Sequence, residues 1–315
     1  MEKYDLVIAG SGAAGLSAAI YAGRYKIKTL VVEGSEFGGQ TSLAGVIENY
    51  PGAKDIDGYS LMKIMKEQAE KAGANFLSKN IISIKKRDRC FDIKTDDMTY
   101  HSHSVVIALG STRRKLGVSG EKEFAGRGVH YCITCDGPLY SGKIIAIVGG
   151  GDAAVKGATL AAEYADKIYM IVRGKEFRAE PINKEKLADL GDKVEILYET
   201  EVVEINGKDK ADSLVLSSKY NDSNTLAIDG LFVEIGADPN IKPVETLNLN
   251  LDEDGHIEVN NEMETSVSGA YAAGDITSFF EHFKQIVTAA AMGAVAATSA
   301  YGRCKEHAGL CSHNK

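Results

Sequence analysis

Two cysteines and an acid in the run HYCITCDG, residues 130–137, carry the first chemistry legible in the chain. Cys132 and Cys135 form a C-x-x-C pair, and Asp136 follows directly. Thiols at this spacing often include one with a lowered pKa, which leaves it a thiolate near neutral pH. Thiol–disulfide exchange runs through a mixed disulfide, so one sulfur must meet the partner while the other resolves the adduct. An adjacent carboxyl can shuttle the proton. Zinc would need two more ligands at matching spacing, and the sequence has no second C-x-x-C. The five cysteines, Cys90, Cys132, Cys135, Cys304 and Cys311, are odd in number and make a poor disulfide framework, which implies a reducing compartment.

Two glycine-rich loops flank the pair. The apolar run YDLVIA meets Gly10, Gly12 and Gly15, a helical stretch follows, and KTLVVE reads as the next strand. This is the β-turn-α-β unit of a dinucleotide site. Gly10 allows the tight turn, Gly12 lets backbone approach a pyrophosphate, and Gly15 allows close packing of helix on strand. The helix N-terminus offers N–H groups and positive potential to phosphates. Glu33 closes the second strand about 20 residues on, where an acid accepts hydrogen bonds from ribose hydroxyls. The second unit starts at IAIVGGGDAAV, with Gly149, Gly151 and Ala154 as G-x-G-x-x-A, then a helix from Ala153 and the strand KIYMIV. It ends on Arg173, with Lys175 and Arg178 close by. Basic side chains there suit a 2′-phosphate. Two sites of opposite sign suggest two different dinucleotides.

The 315 residues suffice for two α/β domains, and 44% hydrophobic content suffices for their cores. A net charge of −8 argues against nucleic acid or an anionic membrane as partner. No apolar stretch approaches the ~20 residues of a membrane span, and no signal-peptide pattern stands out, so the expected location is cytoplasmic. Between the loops, 55–73 reads as an amphipathic helix and 76–110 as short strands. LGVSGE at 116–121 and GADPN at 236–240 read as hinges. The fold expected is α/β, with two Rossmann-like three-layer domains, the second inserted into the first: 1–116 with 241–315, and 117–240. After the insertion, YAAGDI reads as a strand reaching Gly274 and Asp275, and the stretch up to Tyr301 as a small-residue helix packed closely on a neighbour.

The order GSGAAG, GGQ (38–40), ENYPG (48–52), CITCDG, GGGDAAV, FRAE (177–180), GADP and AAGDI closely resembles that of the low-molecular-weight thioredoxin reductases, over essentially the whole chain. The dithiol lies in the second nucleotide domain, where this family puts it; glutathione-reductase-type enzymes carry theirs in the first. The resemblance implies FAD in the first domain, NADPH in the second, a homodimer, and electrons passing from NADPH through FAD and the Cys132–Cys135 pair to oxidised thioredoxin or a thioredoxin-like protein. Residue by residue, it places Gly10, Ser11, Gly12, Ala13, Ala14 and Glu33 at the adenine-nucleotide part of FAD. Gly39, Gln40, Asn49 and Gly110 fall around the flavin. Gly274 and Asp275 fall at the ribityl chain, and Lys284, Gln285 and Ile286 near the isoalloxazine. Gly149, Gly151, Asp152, Ala153, Ala154, Arg173 and Arg178 fall at the nicotinamide nucleotide. Cys135 would face the flavin, Cys132 would attack the partner disulfide, and Asp136 would protonate the outgoing thiolate. In this family the middle domain rotates between two poses.

Three departures stand out. Val172-Arg173-Gly174 replaces the family's His-Arg-Arg, although Arg178 is retained, so NADH, ferredoxin or another carrier becomes an alternative donor. Asp152 replaces the usual asparagine, and Lys284 the usual arginine. His130 and its neighbouring tyrosines read as packing residues, with docking of a partner as the alternative. In the tail, Cys304, His307, Cys311 and His313 read as adventitious ligands on a solvated segment, against a metal site or second disulfide.

Overall fold

The computed structural model describes residues 3–34, 37–280 and 283–306. The chain divides into two compact units, Met1–Thr112 with Asp238–Lys315, and Arg113–Ala237. In the first, the strand Lys3–Ala9 is buried from Leu6 onward, as a central strand covered on both faces must be. It pairs in parallel with Thr29–Val32 and with Thr99–Ile107, Val7 standing opposite Leu30 on one side and Val105 on the other. Asn75–Leu77 extends the sheet beyond Thr29–Val32, and Ala270–Ala272, returning late in the chain, pairs in parallel with Thr99–Ile107. An antiparallel hairpin, Ile81–Arg87 with Cys90–Thr95, completes the seven strands.

Helices cover this sheet. Gly58–Ala72 begins on Asp57, whose carboxylate accepts the Ser60 N–H at 2.9 Å, and stops at Gly73 in the left-handed region. The C-terminal helix Ile286–Glu306 lies against Ala13–Arg24 so closely that a Cβ on Gly293 would stand 2.0 Å from the Ala14 carbonyl oxygen. Ala296, Ala297 and Ala300 on the same helix are fully buried, which is what its run of small residues predicts.

The second unit has a five-stranded parallel sheet in the order Val129–His130, Gly230–Val233, Ile144–Val148, Lys167–Val172, Val194–Tyr198. A three-stranded antiparallel sheet, Val202–Gly207, Ala211–Tyr220 and Ser223–Ala227, joins it. Ile145, Ile147, Ile168, Met170 and Phe232 form the centre of the core. The helix Asp152–Ala161 buries Ala154, Ala158 and Ala161 against them. Both units therefore have the parallel sheet, glycine turn and following helix of a dinucleotide-binding fold. The two chain crossings, Ser111–Arg113 and Ala237–Pro239, pair as a two-stranded ladder. Among the described residues no helix is long and apolar enough to cross a membrane.

Candidate functional site

The first glycine turn is built by steric exclusion. Gly10 sits at φ 108°, and a Cβ there would lie 2.2 Å from the Ala108 carbonyl oxygen of the neighbouring strand. A Cβ on Gly15 would meet the Gly10 carbonyl oxygen at 2.0 Å, so the helix seats directly on the turn. Gly12 differs: its nearest neighbour would be 3.9 Å away, and it caps the helix Ala13–Arg24 with no side-chain hydrogen bond. The surface over Gly12 and the first turn is thus bare backbone, the cradle that a pyrophosphate requires.

Around this cradle the first unit gathers most of the residues expected from sequence. Gly39 comes to 3.9 Å from the Gly12 Cα, measured from where its Cβ would be, and the Gly38 N–H donates to the Ser11 hydroxyl at 3.3 Å. Gly274, at φ 83°, packs on the Ala14 methyl. Asp275 is partly buried; loss of hydration pushes its carboxyl up, against the pull of Lys284 and His256. Lys284 donates to the Asp275 carbonyl oxygen at 3.1 Å and bonds His256 through Nε2. Asn49 donates to Gln285 Oε1 at 3.0 Å across 236 residues of sequence. Ile286 opens the C-terminal helix, and Gly110, at φ 61°, follows the strand Thr99–Ile107. Gln40 lies in the short helix Gly39–Ser42. Glu33, 8% exposed, already has protein partners on both oxygens, Lys66 Nζ at 2.5 Å and the Ser78 hydroxyl at 2.7 Å. His256, Lys66 and Ser78 were not foreseen, and no local motif marks them.

The second loop repeats the construction. Gly149, at φ 147°, would press a Cβ to 2.2 Å from the Glu234 carbonyl oxygen; Gly151 has nothing within 4 Å; Ala154 is fully buried in the third position. Ala153 is exposed on the first turn. Asp152 uses Oδ1 to accept the Glu180 N–H at 2.9 Å and the Asn183 amide at 2.6 Å. The Arg178 N–H donates to the Gly150 carbonyl at 2.7 Å, which lays FRAE along the loop. Asp152 thereby fastens the very segment that carries Arg178. The Arg178 side chain is exposed, as is Arg173, which reaches Glu201 at 4.0 Å, while Lys175 reaches Glu199 at 3.8 Å.

In the same unit Cys132 and Cys135 form a disulfide, S–S 2.06 Å. Cys132 caps the short helix Ile133–Asp136, and the Cys135 N–H donates to its sulfur at 3.2 Å. A donor so placed favours a thiolate at Cys132 once the bond is opened. Gly137 carries no side chain for a plain reason: a Cβ would sit 1.9 Å from the Tyr164 hydroxyl. Asp136 meets His130 Nδ1 at 3.0 Å. Beneath, the buried Glu234 pairs with Arg113 and accepts the Ile133 N–H; burial pushes its carboxyl up despite both partners. Cys304 is a free thiol on the C-terminal helix, pushed up to about 11 by burial and then by Asp5. His307, Cys311 and His313 lie outside the described residues.

A redox disulfide held on a dinucleotide-binding fold, in a chain with a second such fold, defines an oxidoreductase that acts on a disulfide. The chain matches the family described as pyridine nucleotide-disulphide oxidoreductase over residues 4–293, and it belongs to that family. It is 39% identical over 301 residues to a thioredoxin reductase of Treponema pallidum (strain Nichols), covering 94% of this chain and 96% of that protein. The crystal structure of Lactococcus lactis thioredoxin reductase matches it with TM-score 0.91 at 35% identity, covering 96% of this chain and 99% of that one. A ferredoxin-flavin thioredoxin reductase from Clostridium acetobutylicum matches at 36% identity and TM-score 0.53, covering 97% and 99%. The chain is thus a flavoprotein disulfide reductase of the thioredoxin reductase kind, a family that implies a flavin and a nicotinamide cofactor.

Proposed function

We propose that the enzyme takes two electrons from NADPH, passes them through FAD to the Cys132–Cys135 disulfide, and delivers them to oxidised thioredoxin or a thioredoxin-like protein. The observation that carries this is the disulfide itself, on a short helix beside an intact second glycine loop. The bare backbone at Gly12 and Gly151 fits one dinucleotide in each unit. Gly10 to Ala14 and Glu33 would hold the adenine-nucleotide half of FAD. Gly39, Gln40, Asn49, Gly110, Gly274, Asp275, Lys284, Gln285 and Ile286 would hold the rest, and Gly149 to Ala154 with Arg173 and Arg178 the nicotinamide nucleotide. When bound, the flavin supplies the electron pair that opens the disulfide. Cys132 then attacks the partner disulfide, Cys135 resolves the adduct, and Asp136 moves the proton to the leaving thiolate. The assembly we expect, on family resemblance, is a cytoplasmic homodimer.

A second donor is favoured by one observation. The cations at the end of Lys167–Val172 are met by acids, Arg173 by Glu201 and Lys175 by Glu199, which offsets the charge a 2′-phosphate would need. NADH, or a protein donor such as the ferredoxin named for the Clostridium acetobutylicum relative, is the alternative. Anaerobic mixing of the flavin-loaded protein with NADPH and, separately, NADH decides between them by loss of flavin absorbance. Fast bleaching by NADPH supports the first donor and preference for NADH the second. Bleaching by dithionite alone would point to a protein donor.

A further inference from the structure

His130 closes the strand Val129–His130, where its backbone is fixed by parallel pairing with Phe232 of Gly230–Val233. Its side chain is 8% exposed and its ring stacks on Phe232 at 5.4 Å. From there Nδ1 reaches Asp136 Oδ2 at 3.0 Å, and Nε2 reaches the Tyr140 hydroxyl at 2.7 Å. Asp136 is far more open, 38% exposed. A carboxylate of that exposure has free rotation about χ1 and χ2 unless something rigid holds it. Here the rigid element is a buried ring, anchored in the sheet and bonded on both nitrogens.

Resting on the disulfide-reductase function proposed above, we infer that His130 is the positioning residue for Asp136: it holds one carboxylate oxygen and so leaves the other aimed for proton transfer at the dithiol. The network sets the tautomer. Burial, with Asp136 and Asp229 adding to it, raises Tyr140, so its phenol keeps the proton and donates to Nε2. That leaves the proton on Nδ1, which donates to Asp136.

The step served is the exchange. The Cys132 thiolate forms a bond to one sulfur of the partner disulfide, whose S–S bond breaks and releases a thiolate. That thiolate takes a proton from Asp136. The Cys135 thiol returns a proton to Asp136 and, as a thiolate, attacks the Cys132 sulfur, releasing the second partner thiolate. The enzyme pair, entering as one thiolate and one thiol, loses two electrons and one proton; the partner disulfide gains both and leaves as one thiol and one thiolate, and Asp136 ends protonated as it began. An acid matters only when the leaving thiolate is basic, because a low-pKa thiol departs without help.

The test uses that dependence and needs no nicotinamide, flavin chemistry or thioredoxin. Full-length protein reduced with dithiothreitol and desalted is mixed anaerobically with oxidised glutathione, an alkyl disulfide, or with bis(nitrobenzoate) disulfide, an aromatic one. His130→Leu is expected to slow the alkyl exchange by about 10-fold or more, within the range of a general acid, and the aromatic one by less than about twofold. His130→Asn, whose amide can stand in for Nδ1–H, is expected to recover most of the loss. Adding His130→Leu to Asp136→Asn should change nothing further, since one acts through the other. Equal slowing of both disulfides, or additive losses in the double variant, would overturn the inference. Should His130→Leu not fold, Tyr140→Phe keeps the ring, and absence of any alkyl-selective slowing there overturns it equally. Failure of the reduced protein to exchange with either disulfide would instead bring down the disulfide-reductase function, and the inference with it.

Discussion

Alanine at Gly10 and alanine at Gly12 are two residues apart in sequence and opposite in consequence. At Gly10 the new methyl carbon would stand 2.2 Å from the Ala108 carbonyl oxygen, and the backbone sits at φ 108°. Overpacking against backbone costs ~1–3 kcal/mol, and a left-handed backbone costs an L residue ~1–2 kcal/mol more. The sum, about 2–5 kcal/mol, lowers the melting temperature by roughly 10 °C at its midpoint, taking about 2–4 °C per kcal/mol for a unit of this size. At Gly12 φ is −70° and the nearest atom would be 3.9 Å away. There the loss of unfolded-state entropy and the weaker cap nearly cancel, leaving stability within about 1 kcal/mol of the parent. The Gly12 methyl would instead fill the space needed by a pyrophosphate, so FAD affinity should fall on the order of 10-fold or more, each 1.4 kcal/mol being tenfold. Thermal unfolding of the flavin-free protein by circular dichroism, paired with FAD titration, reads both effects. If Gly12→Ala melts as early as Gly10→Ala, or binds FAD with parental affinity, the assignment of the cradle is wrong.

Two further outcomes follow from carboxyls that folding draws out of water. Folding raises the Asp275 carboxyl, so the folded state takes up a proton at a higher pH than the unfolded one; its contribution is fully present below the unfolded pKa and is lost as pH rises through the folded value. The stability of flavin-free parent relative to Asp275→Asn should therefore grow as pH falls from neutral toward the carboxylate range, and a flat or inverted difference in denaturant midpoints would contradict this. Glu121, 4% exposed, accepts the N–H groups of Leu116 and Gly117 at 2.8 and 2.7 Å and the Tyr131 hydroxyl at 2.9 Å. Glu121→Ala should cost about 3 kcal/mol by orphaning these donors, and Tyr131→Phe about 1 kcal/mol; equal midpoints for the two in urea would refute the bonding scheme.

What the sequence revealed was whatever is local. Gly10, Gly12 and Gly15 declare their roles because each meets, or avoids, backbone within a few residues or on the adjoining strand. The alanine-rich stretch before Tyr301 announces its close packing through side-chain size alone. Pairs made across the fold leave no such trace. The bond of Asn49 to Gln285 became an expectation only as two separate family positions, and the partners of Glu33, Lys66 and Ser78, carry no motif at all. The resemblance places Asp152 at the nicotinamide nucleotide, yet its Oδ1 is spent on Glu180 and Asn183, whose relation to it depends on how the loop after Lys167–Val172 folds back. His130 read as packing, and it does pack on Phe232; that the same ring bonds Asp136 required knowing where the strand ends.

The split of the first unit across the chain has a consequence for synthesis. Arg113–Ala237 is contiguous and can close its own sheet as soon as it leaves the ribosome, since domains tend to fold as units during synthesis. The first unit cannot. Its strand Ala270–Ala272 and the helix that presses Gly293 onto Ala14 are made long after the glycine turn they support. The nucleotide cradle at Gly10–Gly15 is therefore completed only after residue 293 has been made, and a message cut short before residue 270 yields a finished second unit attached to a first one whose helix Ala13–Arg24 still shows an uncovered apolar face.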